Sequence, residues 1–228
     1  SAASDVYKRQ IHNVALERSY NVLFSRISLE KIRVIQWMLN EDYILADILV
    51  TLNRPITKEL AEGNTFENED IRFMDASLEE ESELIEITRA AYIHSHYYLD
   101  PHIGFDLAER IYREWIRNSL RGYADKVIVA KIGGMVAGYI SCRLTKVGDK
   151  NVGVIDLIAV KRDYRGRGIG SKLVDVALKW FSSRVSTVYV ATQAQNISAL
   201  RLYEKKGFRI VSSEVTLHRW FNNARLLT

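Results

Sequence analysis

Arg165-Gly166-Arg167-Gly168-Ile169-Gly170-Ser171-Lys172-Leu173-Val174 is the stretch on which the fold turns. A strand-like run, Val152 to Val160, leads into it, and an amphipathic helix, roughly Gly168 to Phe181, leads out. Glycines at alternate positions leave backbone N–H groups uncovered where the helix begins. First-turn amides have no partners inside the helix, and the helix dipole adds partial positive charge, so the turn is a site for anions. Arg165 and Arg167 add full charges. The ligand this chemistry calls for is a pyrophosphate.

The spacing is not the dinucleotide pattern G-x-G-x-x-G, and no Gly-Lys-Ser/Thr closes the loop around a nucleoside triphosphate. It fits R-x-x-G-x-G on Arg165, Gly168 and Gly170. One helix later comes a second constellation, from Tyr189 to Phe208. Asn196 is suited to cap a helix on which Asn196, Ala199, Leu200 and Tyr203 share one face, and Gly207 ends that helix. Arginine-glycine loop, then asparagine followed seven residues on by tyrosine, then Gly-Phe, together resemble the GNAT N-acetyltransferases.

That resemblance implies an α/β fold with a central mixed, mostly antiparallel sheet flanked by helices. It implies acetyl-CoA as cosubstrate, with no metal. Leu157 to Val160 would splay from the neighbouring strand and pair with the pantetheine arm, the Ala159-Val160 backbone orienting the carbonyl. Arg165, Gly166, Arg167, Gly168, Ile169, Gly170 and Ser171 would hold the pyrophosphate. Asn196 and Ala199 would hold the pantetheine from the other side. Tyr203 is the expected general acid: a phenol keeps its proton at neutral pH and reaches the departing sulfur, and the family implies the same role. For the base the sequence offers Asp156 on the cofactor strand and His94 and His96 in a loop. We take Asp156 as the catalytic candidate, with both histidines open.

Composition narrows the classes. The chain has 228 residues, 47% apolar and 26% charged, with net charge +4 and a sequence pI near 9.1. That suits an anionic small ligand. No dense Lys/Arg tract with interleaved aromatics points to nucleic acid. The single Cys142 excludes an intramolecular disulfide and fits a reducing cytoplasm. No apolar run long enough to span a membrane and no signal-peptide pattern is present in the sequence, so no membrane insertion is expected.

Ser1 to Gln10 are polar and aperiodic, and read as a sequence-assembly artefact or disordered. Residues 11–54 read as a partial GNAT-like unit: a helix from Leu29 to Asn40, with Ile32, Ile35, Gln36 and Leu39 on its inner face, then a strand from Tyr43 to Leu52. Residues 55–69 read as a linker and 70–228 as the acetyltransferase domain. Met38 to Arg54 can be laid on Tyr203 to Arg219: Tyr43 falls on Phe208, and Val-Thr-Leu-x-Arg recurs in register. The first unit therefore reads as the tail of a degenerate second copy.

Within the main domain, Ser77 and Glu80 form a capping box. The helix it opens carries Leu84, Ile87, Thr88 and Ala91 inward. A second helix runs from about Phe105 to Arg121, with a stripe of Ala108, Ile111, Tyr112, Trp115, Ile116, Ser119 and Leu120. Gly133-Gly134 is a two-residue hairpin. The helix after the glycine loop should bury Ile169, Leu173, Val176, Ala177, Trp180 and Phe181. The segment from Phe208 to Trp220 should be extended and bent or bulged.

A narrower resemblance bears on the acceptor. Tyr112-Arg113-Glu114-Trp115, the Ser95-His96-Tyr97 and Asp100-Pro101 loop, and Val190 to Gln193 look like the dTDP-fucosamine acetyltransferases, which acetylate a dTDP-4-amino-4,6-dideoxy sugar for surface polysaccharide. The resemblance implies Ser95, His96, Tyr97, Thr192 and Gln193 as acceptor contacts. Arg113, Arg117 and Arg121 offer further charge, although a helical arginine series is usually solvated. The acceptor is thus a small-molecule amine, with a homodimer left open. Two rivals stand beside it: another amine (a protein N-terminus, polyamine or aminoglycoside), or a non-catalytic acyl-CoA-binding module. An acidic cleft would favour polyamines and an arginine-lined cleft a nucleotide sugar.

Overall fold

The computed structural model describes residues 13–57, 70–89 and 91–221. The artefact reading of Ser1 to Gln10 and most of the linker lie outside these residues. Eight strands form one sheet: β1 (Val22–Ser28), β2 (Ile44–Pro55), β3 (Arg72–Asp75), β4 (Lys126–Ile132), β5 (Met135–Val147), β6 (Lys150–Val160), β7 (Thr187–Gln193) and β8 (Arg209–Trp220). Their order across the sheet is β1-β8-β2-β7-β6-β5-β4-β3. Every pairing is antiparallel except β6 with β7. The helices are α1 (Ile32–Asn40), α2 (Glu81–Thr88), α3 (His96–Leu99), α4 (Phe105–Asn118), α5 (Ile169–Phe181) and α6 (Ile197–Lys205). No helix among the described residues is long and apolar enough to cross a membrane.

Strand alternation sends side chains to both faces. On β4, Val127 and Val129 join Tyr139, Leu157 and Ala159 beneath α2 and α4, while Ile128 and Ala130 join Ile140, Cys142 and Ile155 beneath α5. The capping box forms as expected: the Ser77 N–H donates to Glu80 Oε2 at 2.6 Å, and the Ser77 hydroxyl accepts from the Glu79 N–H. Gly133 and Gly134 both have positive φ, which the tight β4–β5 turn requires.

Three helix readings need correction. α1 turns Ile35 and Met38 inward against Tyr43, Val215 and Leu217, and leaves Ile32, Gln36 and Leu39 in water. α4 ends at Asn118, where a π turn from Ser119 to Tyr123 closes on Gly122 at φ 104°. α5 buries Val174 and Leu178, with Val176 and Trp180 only half-covered.

The internal repeat has a spatial counterpart. α1–β2 and α6–β8 are both helix–turn–strand units, and β2 lies against β8 with Leu49 opposite Glu214. Around that point the pairing is self-symmetric, Ile48 with Val215 and Val50 with Ser213. Tyr43 and Phe208 are both buried. Arg54 donates to the Lys206 carbonyl at the end of α6, and Arg219 donates to the Glu41 carbonyl at the end of α1. Positions 41 and 206 correspond in the repeat, so the two arginines close the two helix ends in the same way. Bulges interrupt the β2–β8 ladder at both ends, between Leu45 and Asp47 and between Thr51 and Leu52.

Candidate active site

Strands β6 and β7 run together only from Val152–Thr187 to Ile155–Val190. At Asp156 the chain bulges, because Ser141 faces Leu157 while its neighbour Cys142 faces Ile155. A bulge bends its strand and re-aims side chains. The Ser141 hydroxyl accepts the Leu157 N–H at 3.0 Å. Beyond this point β7 continues with β2 as far as Gln193, so β6 from Asp156 to Val160 keeps β5 on one edge and, among the described residues, has no strand on the other. The open edge and the start of α5 border a cavity of about 530 Å³.

The glycine loop forms the far end of that cavity. Gly166 and Gly168 sit at φ 77° and 79°, a region costly for side-chain-bearing residues. Gly168 is the residue before the first turn of α5, with no side chain capping the helix. First-turn amides are thereby left for a ligand. Arg165 Nε donates to the Val160 carbonyl at 3.0 Å, tying the loop to the end of β6. Across the cleft, Asn196 accepts from the Ala199 N–H and donates from Nδ2 to the Thr192 hydroxyl at 3.2 Å. Among the described residues, these groups fit a pyrophosphate at one end and an extended amide-bearing arm along the strand edge.

A second cavity, of about 470 Å³, meets the first. Ile158, Asn196, Ala199 and Tyr203 line both. The Tyr203 side chain is 2% exposed, and burial holds its phenol protonated well above the ordinary tyrosine range. No described group hydrogen-bonds its hydroxyl. A neutral O–H thus stands where the two cavities join.

The sequence profile of the Acetyltransferase (GNAT) family matches residues 83–208. The chain belongs to this family. It is 36% identical over 138 residues to the spore coat polysaccharide biosynthesis protein SpsD of Bacillus subtilis, covering 60% of this chain and 46% of that one. It is 33% identical over 117 residues to the dTDP-fucosamine acetyltransferase of Escherichia coli, covering 50% and 48%. The chain thus spans just under half the length of these two curated relatives. A conserved protein of unknown function from Staphylococcus epidermidis shares the fold at TM-score 0.69 and 14% identity, over 96% of this chain and 80% of that one.

The GNAT fold gathers most of the expected donor residues into one cleft. Ile158, Ala159, Val160, Arg165, Gly166, Gly168, Ile169, Gly170, Ser171, Asn196, Ala199 and Tyr203 all border the first cavity. Leu157 borders the second instead. Arg167 lies outside both; it lines a hollow beside Lys131 and stacks its guanidinium over Tyr164 at 5.3 Å.

Of the residues expected to contact the acceptor, His96, Tyr97, Thr192 and Gln193 line the second cavity. Ser95 does not: it is 1% exposed, sealed beneath the start of α3. Asp156 lines it, with both carboxylate oxygens accepting from Arg143, Nε at 2.8 Å and Nη2 at 3.2 Å. Arg117 and Arg121 are held by Glu81 outside the cavity. The aromatic residues Tyr92, Tyr112 and Trp115 do reach it, although Tyr112 belongs mainly to the core.

Two charged residues of the cavity escaped the sequence reading. Arg26 comes from β1, and Arg143 from β5. Neither sits in a motif. Arg26 follows strand alternation opposite Thr216 on β8, and that pairing is invisible before the sheet is assembled.

Proposed function

We propose that the chain transfers an acetyl group from acetyl-CoA to the amine of a nucleotide-linked amino sugar, a dTDP-4-amino-4,6-dideoxyhexose or close kin. The observation that carries this reading is the wall chemistry of the second cavity. Two arginines, Arg26 and Arg143, and several aromatic rings line it, against one carboxylate that Arg143 already neutralises. No described carboxylate pairs with Arg26. Guanidinium groups and flat rings suit a pyrophosphate and a base, and a polycation would find little to hold it. The names of the two curated relatives, one a spore coat polysaccharide protein and one a fucosamine acetyltransferase, support the same class. A cytoplasmic setting belongs with it, as does the buried free thiol of Cys142.

In this reading the α5 amides and Arg165 grip the donor's pyrophosphate, and the open β6 edge orders the pantetheine arm. Asn196 and Ala199 close the other side. The acceptor amine enters from the second cavity and attacks the acetyl carbonyl directly. Tyr203 gives its proton to the leaving sulfur.

The test is a panel assay of thiol release from acetyl-CoA. The amines are dTDP-4-amino-4,6-dideoxygalactose, spermidine, a free peptide N-terminus and an aminoglycoside. The nucleotide sugar should show the highest kcat/KM, and Arg26→Ala should raise its KM about tenfold, in line with one charge-assisted contact. Faster turnover of spermidine or peptide would overturn the acceptor assignment.

A further inference from the structure

The acceptor cavity holds one more chemical device. Asp100, just past α3, is fully buried and saturated with donors: the His102 N–H at 2.8 Å, Trp220 Nε1 at 2.9 Å and His218 Nδ1 at 2.5 Å. His218, on β8 and wholly buried, places its Nε2 2.9 Å from Nδ1 of His96. An ionised carboxylate only accepts hydrogen bonds, so His218 Nδ1 must carry the hydrogen. In neutral His218 the other ring nitrogen, Nε2, then accepts, and His96 Nδ1 must donate. By elimination His96 Nε2 is a bare lone pair. It has no partner among the described residues, and His96 lines the acceptor cavity together with Tyr203.

Resting on the acetyl-transfer reading above, we propose that His96 is the general base, held in its accepting tautomer by the positioning residues His218 and Asp100. As the amine nitrogen bonds to the acetyl carbon, its N–H proton passes to His96 Nε2. The C–S bond breaks, its electron pair leaves with sulfur, and the Tyr203 proton neutralises the thiolate. The imidazolium then returns a proton to the Tyr203 phenolate through the cavity, so the enzyme is reset with no other reactant.

The surroundings suit a base that starts neutral. Burial, with smaller contributions from His218 and Arg26, pushes the His96 imidazole below its usual range, against the pull of Asp47 and Asp100. Asp47 accepts the His96 backbone N–H at 3.0 Å and so fixes the start of α3. Tyr97 lies over the ring at 3.9 Å between centroids, and Phe24 meets it edge-on at 5.9 Å. The remaining titratable groups around the cavity are Tyr92, His94, Tyr112, Tyr123, Arg143 and Asp156. Asp156 shares the cavity, but Arg143 occupies both of its oxygens.

The decisive variant is His96→Gln, which keeps size and polarity but cannot take a proton. With the nucleotide sugar saturating, kcat should fall about 100-fold, at the low end of general-base effects. The acceptor KM and the acetyl-CoA affinity by calorimetry should stay within threefold, and the acidic limb of the kcat–pH profile should vanish. Asp100→Asn removes the obligate acceptor: an amide can turn either its oxygen or its nitrogen toward His218, so the His96 tautomer is no longer fixed. Imidazole ¹⁵N shifts should show His96 Nε2 unprotonated in the parent chain and a loss of that single tautomer in Asp100→Asn, with kcat lowered. If Asp100→Asn does not fold, His96→Gln decides alone. Full kcat in His96→Gln, or an acidic limb that persists there and disappears in Asp156→Asn, refutes the proposal while leaving acetyl transfer intact. A parent chain that binds acetyl-CoA and acetylates no amine on the panel refutes both.

Discussion

Removing one oxygen atom tests the catalytic reading most directly. Tyr203→Phe keeps the ring that packs at 5.7 Å from Phe208 and deletes a hydroxyl with no described protein partner. No hydrogen bond among the described residues is broken, so unfolding free energy should change by less than about 0.5 kcal/mol. The catalytic cost is of another size. Loss of a general acid typically slows a reaction by about 10²- to 10⁴-fold, and even the lower figure is about 2.7 kcal/mol of transition-state stabilisation. The two readouts are therefore separated about fivefold in energy, taking both limits. The assay is thiol release at saturating acetyl-CoA and acceptor, beside a urea melt and a calorimetric titration with coenzyme A. Because burial lifts the phenol well above its usual range, the parent enzyme should lose no activity to Tyr203 ionisation through moderately alkaline pH. Retention of kcat within twofold would refute the acid role. A melt displaced by several kcal/mol would instead make Tyr203 a structural residue.

Three further outcomes are expected. Gly168→Ala places a side chain at φ 79°, where no neighbour clashes and only backbone strain of about 1–2 kcal/mol opposes it; acetyl-CoA should bind about tenfold more weakly by calorimetry, with the sheet intact by circular dichroism. Burial alone would raise the Glu80 carboxyl, but hydrogen bonds from Lys131 and Ser77 outweigh it and hold the group at about 2. Its contribution is therefore complete above the unfolded value near 4.5 and lost as pH falls toward 2; Glu80→Gln should cost about 1–2 kcal/mol at pH 7 after allowance for solvent around the pair, and the gap to the parent in urea melts should close on acidification. Arg54→Met removes the guanidinium from the end of α6 and should lower stability by about 1–2 kcal/mol in a urea titration.

Features whose signals are local in the sequence were legible. The glycine loop, the capping box at Ser77 and Glu80, the Gly133-Gly134 hairpin and the Asn196-to-Tyr203 face each depend on residues close together along the chain. The parting of β6 from β7 was expected from family resemblance and sits at a bulge on Asp156. Long-range placement was not legible. The inner face of α1 is chosen by Val215 and Leu217, far along the chain, and a short helix with apolar residues on several sides does not reveal which pair will win. Asp100, His96 and His218 come together only because α3 settles over β2 and β8. Nothing in the spacing of those three residues announces a relay. Arg26 enters the second cavity for the same reason, through a strand whose partner, β8, lies far along the chain.

The position of β2 has a consequence for how the molecule is made. During synthesis this strand emerges well before both of its flanking partners, β7 and β8, and Leu49 must wait for Glu214. Such pairing is slow and leaves hydrogen-bonding edges uncovered in the nascent chain. Holdase chaperones that shelter Ile44–Pro55 until β7 and β8 have emerged should therefore raise the soluble yield, and removal of the residues before 70 should deliver a protein whose β7 and β8 have lost the strand that joins them.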